Sequence, residues 1–314
     1  MERRFSRFVL HSPLRINSLK MISILIPTYN YNVVSLVNEI LKQCIESKIV
    51  FEIIVWDDTS TEFIGENRKL IDFHNNVHCF ENAKNLGRTQ TRALLSEKAQ
   101  YDWLLFLDAD VFPVHHNFIQ NYLNTISTEF PVINGGIQYQ DIEIANHKTL
   151  RYYYGKKRES VSSDIRKQNP YSAIFSANLC IRKNIFELYN FSENANLYGM
   201  DIYFAYQLFV NKINVLHIDN TVYHLGIEDN NVFFNKSIEA VKIRKQHLSK
   251  LPKIGEINSL MRYYLSLKKY KLNGIVYTFF YFSEPFLKKM IFKKKPILLC
   301  FDLYRLGIIC NPKN

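Results

Sequence analysis

Three short apolar runs, each ending on a polar or carboxylate-bearing segment, limit what this chain can fold into more than any other feature. Ile22-Ser23-Ile24-Leu25-Ile26 is ended by Pro27 and followed by Thr28 to Asn30. Phe51 to Trp56 runs into Asp57-Asp58-Thr59-Ser60, and Trp103 to Leu107 runs into Asp108-Ala109-Asp110. Apolar runs of this length bounded by turn residues read as buried strands. Val33, Val34, Leu36, Val37, Ile40, Leu41, Cys44 and Ile45 recur at helical spacing and form one apolar stripe. Val77 to Phe80 reads as a further short strand and Arg88 to Ala99 as a helix. Strands alternating with helices at this interval predict an α/β fold whose mostly parallel central sheet is covered by helices on both faces. Such sheets take their ligands outside the carboxyl ends of the strands, where these polar segments fall.

The glycine patterns of dinucleotide-binding and P-loop proteins are absent: no G-x-G-x-x-G follows the first strand and no G-x-x-x-x-G-K-[ST] occurs. A nucleotide diphosphate must then be neutralised in another way. Asp108 and Asp110 stand two apart on an extended chain and so point to one side. Hard oxygen ligands of this kind suit Mg²⁺ or Mn²⁺ bridging to phosphate oxygens. Carboxylates abutting a buried strand cost desolvation energy unless something compensates them, which favours a functional over an incidental pair.

Ile24-Leu25-Ile26-Pro27-Thr28-Tyr29-Asn30, Ile54-Val55-Trp56-Asp57-Asp58-Thr59-Ser60, Asn85-Leu86-Gly87 with Arg92, and Leu107-Asp108-Ala109-Asp110 occur in order and at compatible spacing. Together they resemble the nucleotide-binding half of family 2 glycosyltransferases with the GT-A fold. The similarity continues to about residue 235 through His217-Ile218-Asp219-Asn220, Tyr223-His224-Leu225-Gly226 and Glu228-Asp229-Asn230, blocks similar to bacterial envelope-polysaccharide members. The resemblance implies an inverting, metal-assisted transfer of a hexosyl or N-acetylhexosaminyl group from a nucleotide sugar, with a UDP-sugar preferred, onto a hydroxyl of a glycan or lipid-linked acceptor. It implies a GT-A domain over 21–234, with a nucleotide-binding half at 21–112 and an acceptor-binding half at 113–234.

Carried over by residue, the resemblance puts Pro27 and Tyr29 at the base, and Asp57 or Asp58 as acceptor of a hydrogen bond from it. Arg92 and Ala109 would lie along the nucleotide, Asp108 would face the ribose or the metal, and Asp110 would be the main metal ligand. Asp57 and Asp58 have a lesser alternative as caps of the following helix, and Arg92 an even one as a solvated helix residue. Inversion at the anomeric carbon needs a base to take the acceptor proton. Asp201, in Leu197-Tyr198-Gly199-Met200-Asp201 where the helical pattern of Ile202, Ala205, Tyr206, Leu208 and Phe209 starts, is the candidate. Members of the family usually carry a Glu-Asp pair there; here Met200 replaces the Glu. The alternative is that Asp201 merely favours a helix N-terminus. His224 matches a position where relatives place a third metal ligand and completes a set with Asp108 and Asp110; His217 is a weaker competitor. His115 and His116 sit at a helix start.

Arg151-Tyr152-Tyr153-Tyr154-Gly155-Lys156-Lys157-Arg158 leads into a polar stretch ending at Asn169-Pro170. It reads as a long loop that either grips a phosphate-bearing or sugar acceptor or serves as a solvated hinge.

Charge then bears on location. The 314 residues carry a formal +11, which suggests a nucleic acid or an anionic membrane. Residues 235–314 hold +13 and residues 1–20 hold +4, leaving −6 for residues 21–234. The excess therefore belongs to a basic N-terminal extension, with Met21 as an alternative start, and to a basic, amphipathic helical tail. In the tail, Ile275 to Phe282 and Ile297 to Cys310 are too short or too charged to span a bilayer. Lys288-Lys289 and Lys293-Lys294-Lys295 flank them, as in helices lying on an anionic membrane surface; packing on the catalytic domain or a dimer contact is the alternative. Long apolar runs between the cations disfavour nucleic acid. Five cysteines without a C-x-x-C pair point to a reducing cytoplasm. The combined expectation is a cytoplasmic enzyme peripheral on the inner face of the membrane. Two other readings remain: a non-catalytic, membrane-associated nucleotide-sugar-binding protein, and a nucleotidyltransferase.

Overall fold

The computed structural model describes residues 20–72, 74–191, 199 and 201–313. The basic extension before Lys20, and Leu197, Tyr198 and Met200 beside the candidate base, lie outside the described residues. Ten strands are described: β1 (Met21–Thr28), β2 (Val50–Asp57), β3 (Val77–Glu81), β4 (Trp103–Leu107), β5 (Val111–Pro113), β6 (Val132–Asn134), β7 (Ile137–Gln138), β8 (Asn178–Arg182), β9 (Val215–His217) and β10 (Val222–His224). The helices of the first half are α1 (Val34–Glu46), α2 (Ile64–Arg68), α3 (Arg88–Lys98), α4 (Phe118–Thr125), α5 (Thr149–Tyr154) and α6 (Ser163–Gln168). Those that follow are α7 (Lys183–Tyr189), α8 (Asp201–Val210), α9 (Asn230–Leu248), α10 (Ile254–Ile257), α11 (Ser259–Lys269), α12 (Asn273–Ile291) and α13 (Leu298–Cys310).

The main sheet has seven strands in the order β3-β2-β1-β4-β8-β6-β9. β3, β2, β1 and β4 are mutually parallel; β8 is antiparallel to both β4 and β6, and β9 is parallel to β6. The expected α/β fold with a mostly parallel sheet is thus the one observed. Side chains alternate along each strand, and both faces are dry. Ile22, Ile24 and Ile26 pack with Leu36, Val37, Ile40 and Cys44 of α1. Leu25, Leu104 and Phe106 pack on the other face with Leu95 of α3 and Phe186 of α7. A small second sheet, β5-β10-β7, stands at the carboxyl end of β4, and its register pairs His224 with Val111.

One segment differs from the sequence expectation, and a second takes up an alternative left open there. The stretch from Arg151 to Pro170 is not a loop: it forms α5, a π-helical turn over Gly155–Glu159, and α6. Arg151, Ser163 and Arg166 among its polar residues face inward, which hides the helical period. The Arg151 guanidinium lies over the Tyr139 and Phe233 rings, and Arg166 is buried on the carbonyls of Asn134, Val161 and Ile218. The C-terminal tail, for its part, contributes to the body's own core. Leu150 of α5 packs with Phe233, Phe280, Leu287, Ile291, Leu298, Phe301 and Tyr304, and Ala205 and Tyr206 of α8 pack with Val241, Met261 and Ile309. α12 and α13 cross closely because Gly307 has no Cβ to strike the Phe280 ring. Among the described residues no helix is long and apolar enough to cross a membrane.

Candidate active site

The carboxyl ends of β1, β2 and β4 open onto a cavity of about 450 Å³ lined by Pro27, Tyr29, Asp58, Asp108, Ala109 and Asp110, with Arg88, Gly226 and Lys236 also in its wall. The loops after β1 and β2 lock each other at its rim. The Asn30 amide donates to Ser60 Oγ at 2.7 Å, and Asn30 Oδ1 accepts from the Thr61 amide at 2.7 Å. Tyr29 is left exposed at the rim.

The two aspartates after β2 separate. Asp57 accepts the Ser60 amide at 2.6 Å and lines an adjoining cavity of about 170 Å³ with Ile64, Asn67, Arg68 and Phe80. Asp58 is buried, and its carboxylate receives the amides of Leu86 and Gly87, each at 2.8 Å, and Asn82 Nδ2 at 2.7 Å. It therefore holds the 85–87 turn against the sheet. Gly87 has φ 82 and ψ 162, a conformation essentially confined to glycine, and leads directly into α3.

From α3, Arg88 and Arg92 project one turn apart onto Asp108. Arg92 Nη2 is 2.5 Å from Oδ1, and Arg88 pairs with Oδ2. Burial alone would raise the Asp108 carboxyl, but the two guanidiniums more than offset it and hold the group below the ordinary carboxylate range. Arg92 is not a solvated helix residue: its side chain is 5% exposed.

Asp110, the residue after Ala109, turns to the opposite wall. His224 Nε2 lies 3.6 Å from Asp110 Oδ2, and the His224 ring stacks on Tyr139 at a centroid distance of 5.5 Å. Tyr139 is in turn fixed by its hydroxyl on Glu159. A Cβ on Gly226 would collide with the Asp110 carboxylate, so glycine alone leaves that side chain its place. His224 Nδ1 is buried with no hydrogen-bond partner.

This donor set fits a hard divalent ion. Two ligands in adjacent positions around an ion with bonds of ~2.1 Å stand roughly 3 Å apart, close to the separation of Asp110 Oδ2 and His224 Nε2. Among the described residues no three His, Cys, Asp or Glu side chains converge, and Asp108 is engaged by Arg88 and Arg92. Ions of this class are commonly held by one or two protein ligands, with substrate phosphates and water completing the shell.

A second cavity, of about 590 Å³, adjoins the first. Arg88, Asp108, Arg151 and His224 line both, whereas Asp110 lines only the first and Asp201 only the second. Asp201 is the first residue of α8; its side chain is 48% exposed, and Oδ1 lies 3.8 Å from Arg92 Nη1. His217 is remote from this chemistry. It is buried, with Nδ1 2.9 Å from Arg166 Nη1 and Nε2 2.9 Å from the Pro170 carbonyl. Burial, with Arg166 beside it, lowers its pKa to about 4, so it serves as a neutral hydrogen-bonding group of the core. His115 and His116 precede α4 and belong to neither cavity.

Pro27, Tyr29, Asp58, Asp108, Ala109, Asp110 and His224 are thus brought to one cavity and Asp201 to its neighbour; Arg92 lines neither but contacts Asp108 and Asp201, and Asp57 stands apart. Sequence reasoning missed Arg88, Tyr139 and Gly226. Arg88 was findable, since it lies four residues before Arg92 and so shares its helix face. Tyr139 and Gly226 act only through contacts between distant segments.

The sequence model of glycosyl transferase family 2 matches residues 23–187. Among solved structures, the chain is similar to a mannosyltransferase of Pyrobaculum calidifontis in complex with GDP-Man and Mn²⁺, at 15% identity and TM-score 0.54, over 78% of this chain and 70% of that one. It is also similar to residues 1–349 of Staphylococcus aureus TarS, at 15% identity and TM-score 0.51, over 92% of this chain and 90% of that one. No curated protein matches it. The family match covers more than half of the chain and includes β1, β2 and β4 with the turns that carry Pro27 to Asp110 into the first cavity, so this protein belongs to glycosyltransferase family 2.

Proposed function

We propose that this glycosyltransferase is a metal-dependent, inverting enzyme that transfers a hexosyl or N-acetylhexosaminyl group from a nucleoside-diphosphate donor, preferably a UDP-sugar, to a hydroxyl of a glycan or lipid-linked acceptor in cell-surface polysaccharide or lipopolysaccharide synthesis. The observation that carries this reading is the pair of cavities meeting at Asp108 and His224, with Asp110 on one side and Asp201 on the other. The first cavity takes the nucleotide: Pro27 and Tyr29 flank the base, Asp57, in the adjoining cavity at the end of β2, accepts a hydrogen bond from it, and Asp58 sets the 85–87 turn. Asp110 and His224 hold the metal, which when bound supplies Lewis-acid neutralisation of the leaving diphosphate. Arg88 and Lys236, in the same wall, add positive charge beside it. Asp201 accepts the proton of the acceptor hydroxyl as that oxygen attacks the anomeric carbon from the face opposite the leaving group. Arg92 orients Asp201 and Asp108 together.

The tail supports work at the cytoplasmic face of a membrane. Ile275, Phe279, Phe282 and Phe286 of α12 and Leu299 and Leu303 of α13 are exposed, and the exposed Lys288, Lys289, Lys293, Lys294 and Lys295 lie beside them. Apolar side chains rimmed by lysine suit an anionic lipid surface; a second copy of the chain is the other occupant such a patch would accept.

The test is a screen of nucleotide sugars with Mn²⁺ for thermal stabilisation, followed by donor turnover for Asp110→Asn and Asp201→Asn. Retention of full turnover by both variants would refute the assignment.

A further inference from the structure

His224, read above as a metal ligand, lacks the contact that usually aims such a ring. A histidine bound to a metal through Nε2 carries its proton on Nδ1, and as a rule donates it to a carboxylate or carbonyl that fixes the tautomer and the ring plane. Among the described residues His224 Nδ1 is buried and has no such partner. The face of the ring is covered instead by Tyr139. β10 runs parallel to β7 with Tyr223 opposite Gln138, so one residue further along His224 and Tyr139 are neighbours. Their rings are 21° from parallel, with centroids 5.5 Å apart.

The Tyr139 ring is itself firmly held. Its hydroxyl donates to Glu159 Oε2, which also accepts from Arg151 Nη1 at 3.0 Å, and the Arg151 guanidinium lies over the ring, 5.4 Å from its centroid. Glu159 ends the π-helical turn Gly155–Glu159, which is closed by the Ser160 amide donating to the Gly155 carbonyl at 3.0 Å. The turn opens on glycine because a Cβ at Gly155 would strike the Tyr139 ring. Single π-helical turns recur at functional sites, yet Tyr139 and Gly155 line neither cavity. Their effect on the site must pass through His224.

Resting on the metal assignment above, we infer that Tyr139 is a positioning residue for His224. Its ring face, anchored by Glu159 and Arg151, sets the imidazole plane in place of the missing hydrogen bond. An imidazole lone pair lies in the plane of its ring, so holding that plane keeps Nε2 directed at an ion shared with Asp110, whose Oδ2 is 3.6 Å away. Gly155 and the π-helical turn exist to seat the ring that does this.

The probe is Mn²⁺, added to the full-length protein with UDP in one sample and GDP in another. Pulsed electron paramagnetic resonance detects the nitrogen coupling of an imidazole bound to Mn²⁺, and titration gives the metal affinity. The parent shows the coupling and His224→Ala lacks it. Tyr139→Leu loses the coupling and binds Mn²⁺ about tenfold more weakly, whereas Tyr139→Phe, which keeps the ring, stays close to the parent in both. Gly155→Ala displaces the ring instead of removing it and behaves as Tyr139→Leu does, so it decides the matter if the leucine variant does not fold. Metal-free nucleotide affinity and the unfolding midpoint report folding for each. Parent-like coupling and affinity in the folded leucine or alanine variant overturn the inference and leave the metal site standing. So does a loss in Tyr139→Phe as large as in Tyr139→Leu, since the ring face would then not be what acts. A parent that binds Mn²⁺ without nitrogen coupling removes His224 from the site and the inference with it, and a parent that binds no Mn²⁺ in either sample refutes the metal reading itself.

Discussion

Arg92 lies 3.8 Å from Asp201 through Nη1 while its Nη2 is bound to Asp108 at 2.5 Å. One buried cation thus spans the carboxylate at the end of β4 and the carboxylate that opens α8. The two ends are unequal in their surroundings. Asp108 is almost wholly buried, whereas Asp201 is half-exposed.

That inequality separates two substitutions. Asp108→Asn leaves Arg92 as a buried charge short of its main partner, at a cost of about 3 kcal/mol in folding stability. Asp201→Asn removes a partly solvated carboxylate, at a cost within about 1 kcal/mol, yet it lowers transfer by about 10²- to 10⁴-fold through loss of the base. Urea unfolding and a transfer assay on both proteins check the pattern. Equal destabilisation by the two changes would contradict the role given to Arg92.

Gly226→Ala tests the placement of Asp110. The new methyl group occupies the position of the Asp110 carboxylate, so the side chain must swing away from His224. The Mn²⁺ concentration giving half-maximal turnover rises at least tenfold, while metal-free nucleotide affinity and unfolding midpoint change little. An unaltered Mn²⁺ titration would show that Asp110 does not need the geometry described.

Much of this arrangement was legible in the sequence because it rests on local patterns. Ile22 to Ile26 and Trp103 to Leu107 are apolar on both pleat faces, which only a sheet covered on both sides explains. Thr28 to Asn30 after the first and Asp108 and Asp110 after the second had to fall at the sheet's carboxyl edge. The helices α5 and α6 were not legible, because Arg151 and Arg166 are buried by hydrogen bonds and ring contacts and so break the apolar period. The tail's role was not legible either. Its +13 reads first as a membrane-facing surface, with packing on the catalytic domain only as an alternative, and nothing local reveals that Phe280, Phe301 and Tyr304 complete a core with Leu150 and Phe233. Nor did charge arithmetic by segment reveal that arginines of the body and of the tail line one cavity, since they come from elements far apart in the chain.

His217 gives a pH dependence whose sign is fixed. Its pKa in the fold is about 4, below the ordinary 6.5, so between those values the unfolded chain binds the extra proton and the folded one does not. Stability therefore falls as pH drops from 6.5 toward 4, by about 1.4 kcal/mol per pH unit for this group. In His217→Gln, the amide keeps an acceptor for Arg166 and a donor for the Pro170 carbonyl but cannot titrate. Between pH 6.5 and 5 the parent loses about 2 kcal/mol more than the variant in urea unfolding. Carboxylates titrate alike in both proteins and cancel in the difference; parallel curves would mean that His217 is not held neutral.

The exposed face of α12 predicts how the protein meets lipid. Ile275, Phe279, Phe282 and Phe286 follow one another at helical spacing, and Leu299 and Leu303 of α13 are exposed as well. On the other side of the same helices, Phe280, Leu287 and Phe301 are buried in the core, so the outward residues can be changed without opening it. Vesicles rich in anionic lipid co-sediment the parent protein, and salt weakens the binding, as expected where exposed lysines supply part of the attraction. Phe279→Ser with Phe282→Ser lowers the partition coefficient at least tenfold, since each ring contributes on the order of 1 to 2 kcal/mol when taken out of water, and leaves the unfolding midpoint within a degree or two. Lipid binding that survives this double change would discard the membrane assignment. If the patch instead joins two copies of the chain, sedimentation velocity without lipid finds a dimer that the same double variant dissociates.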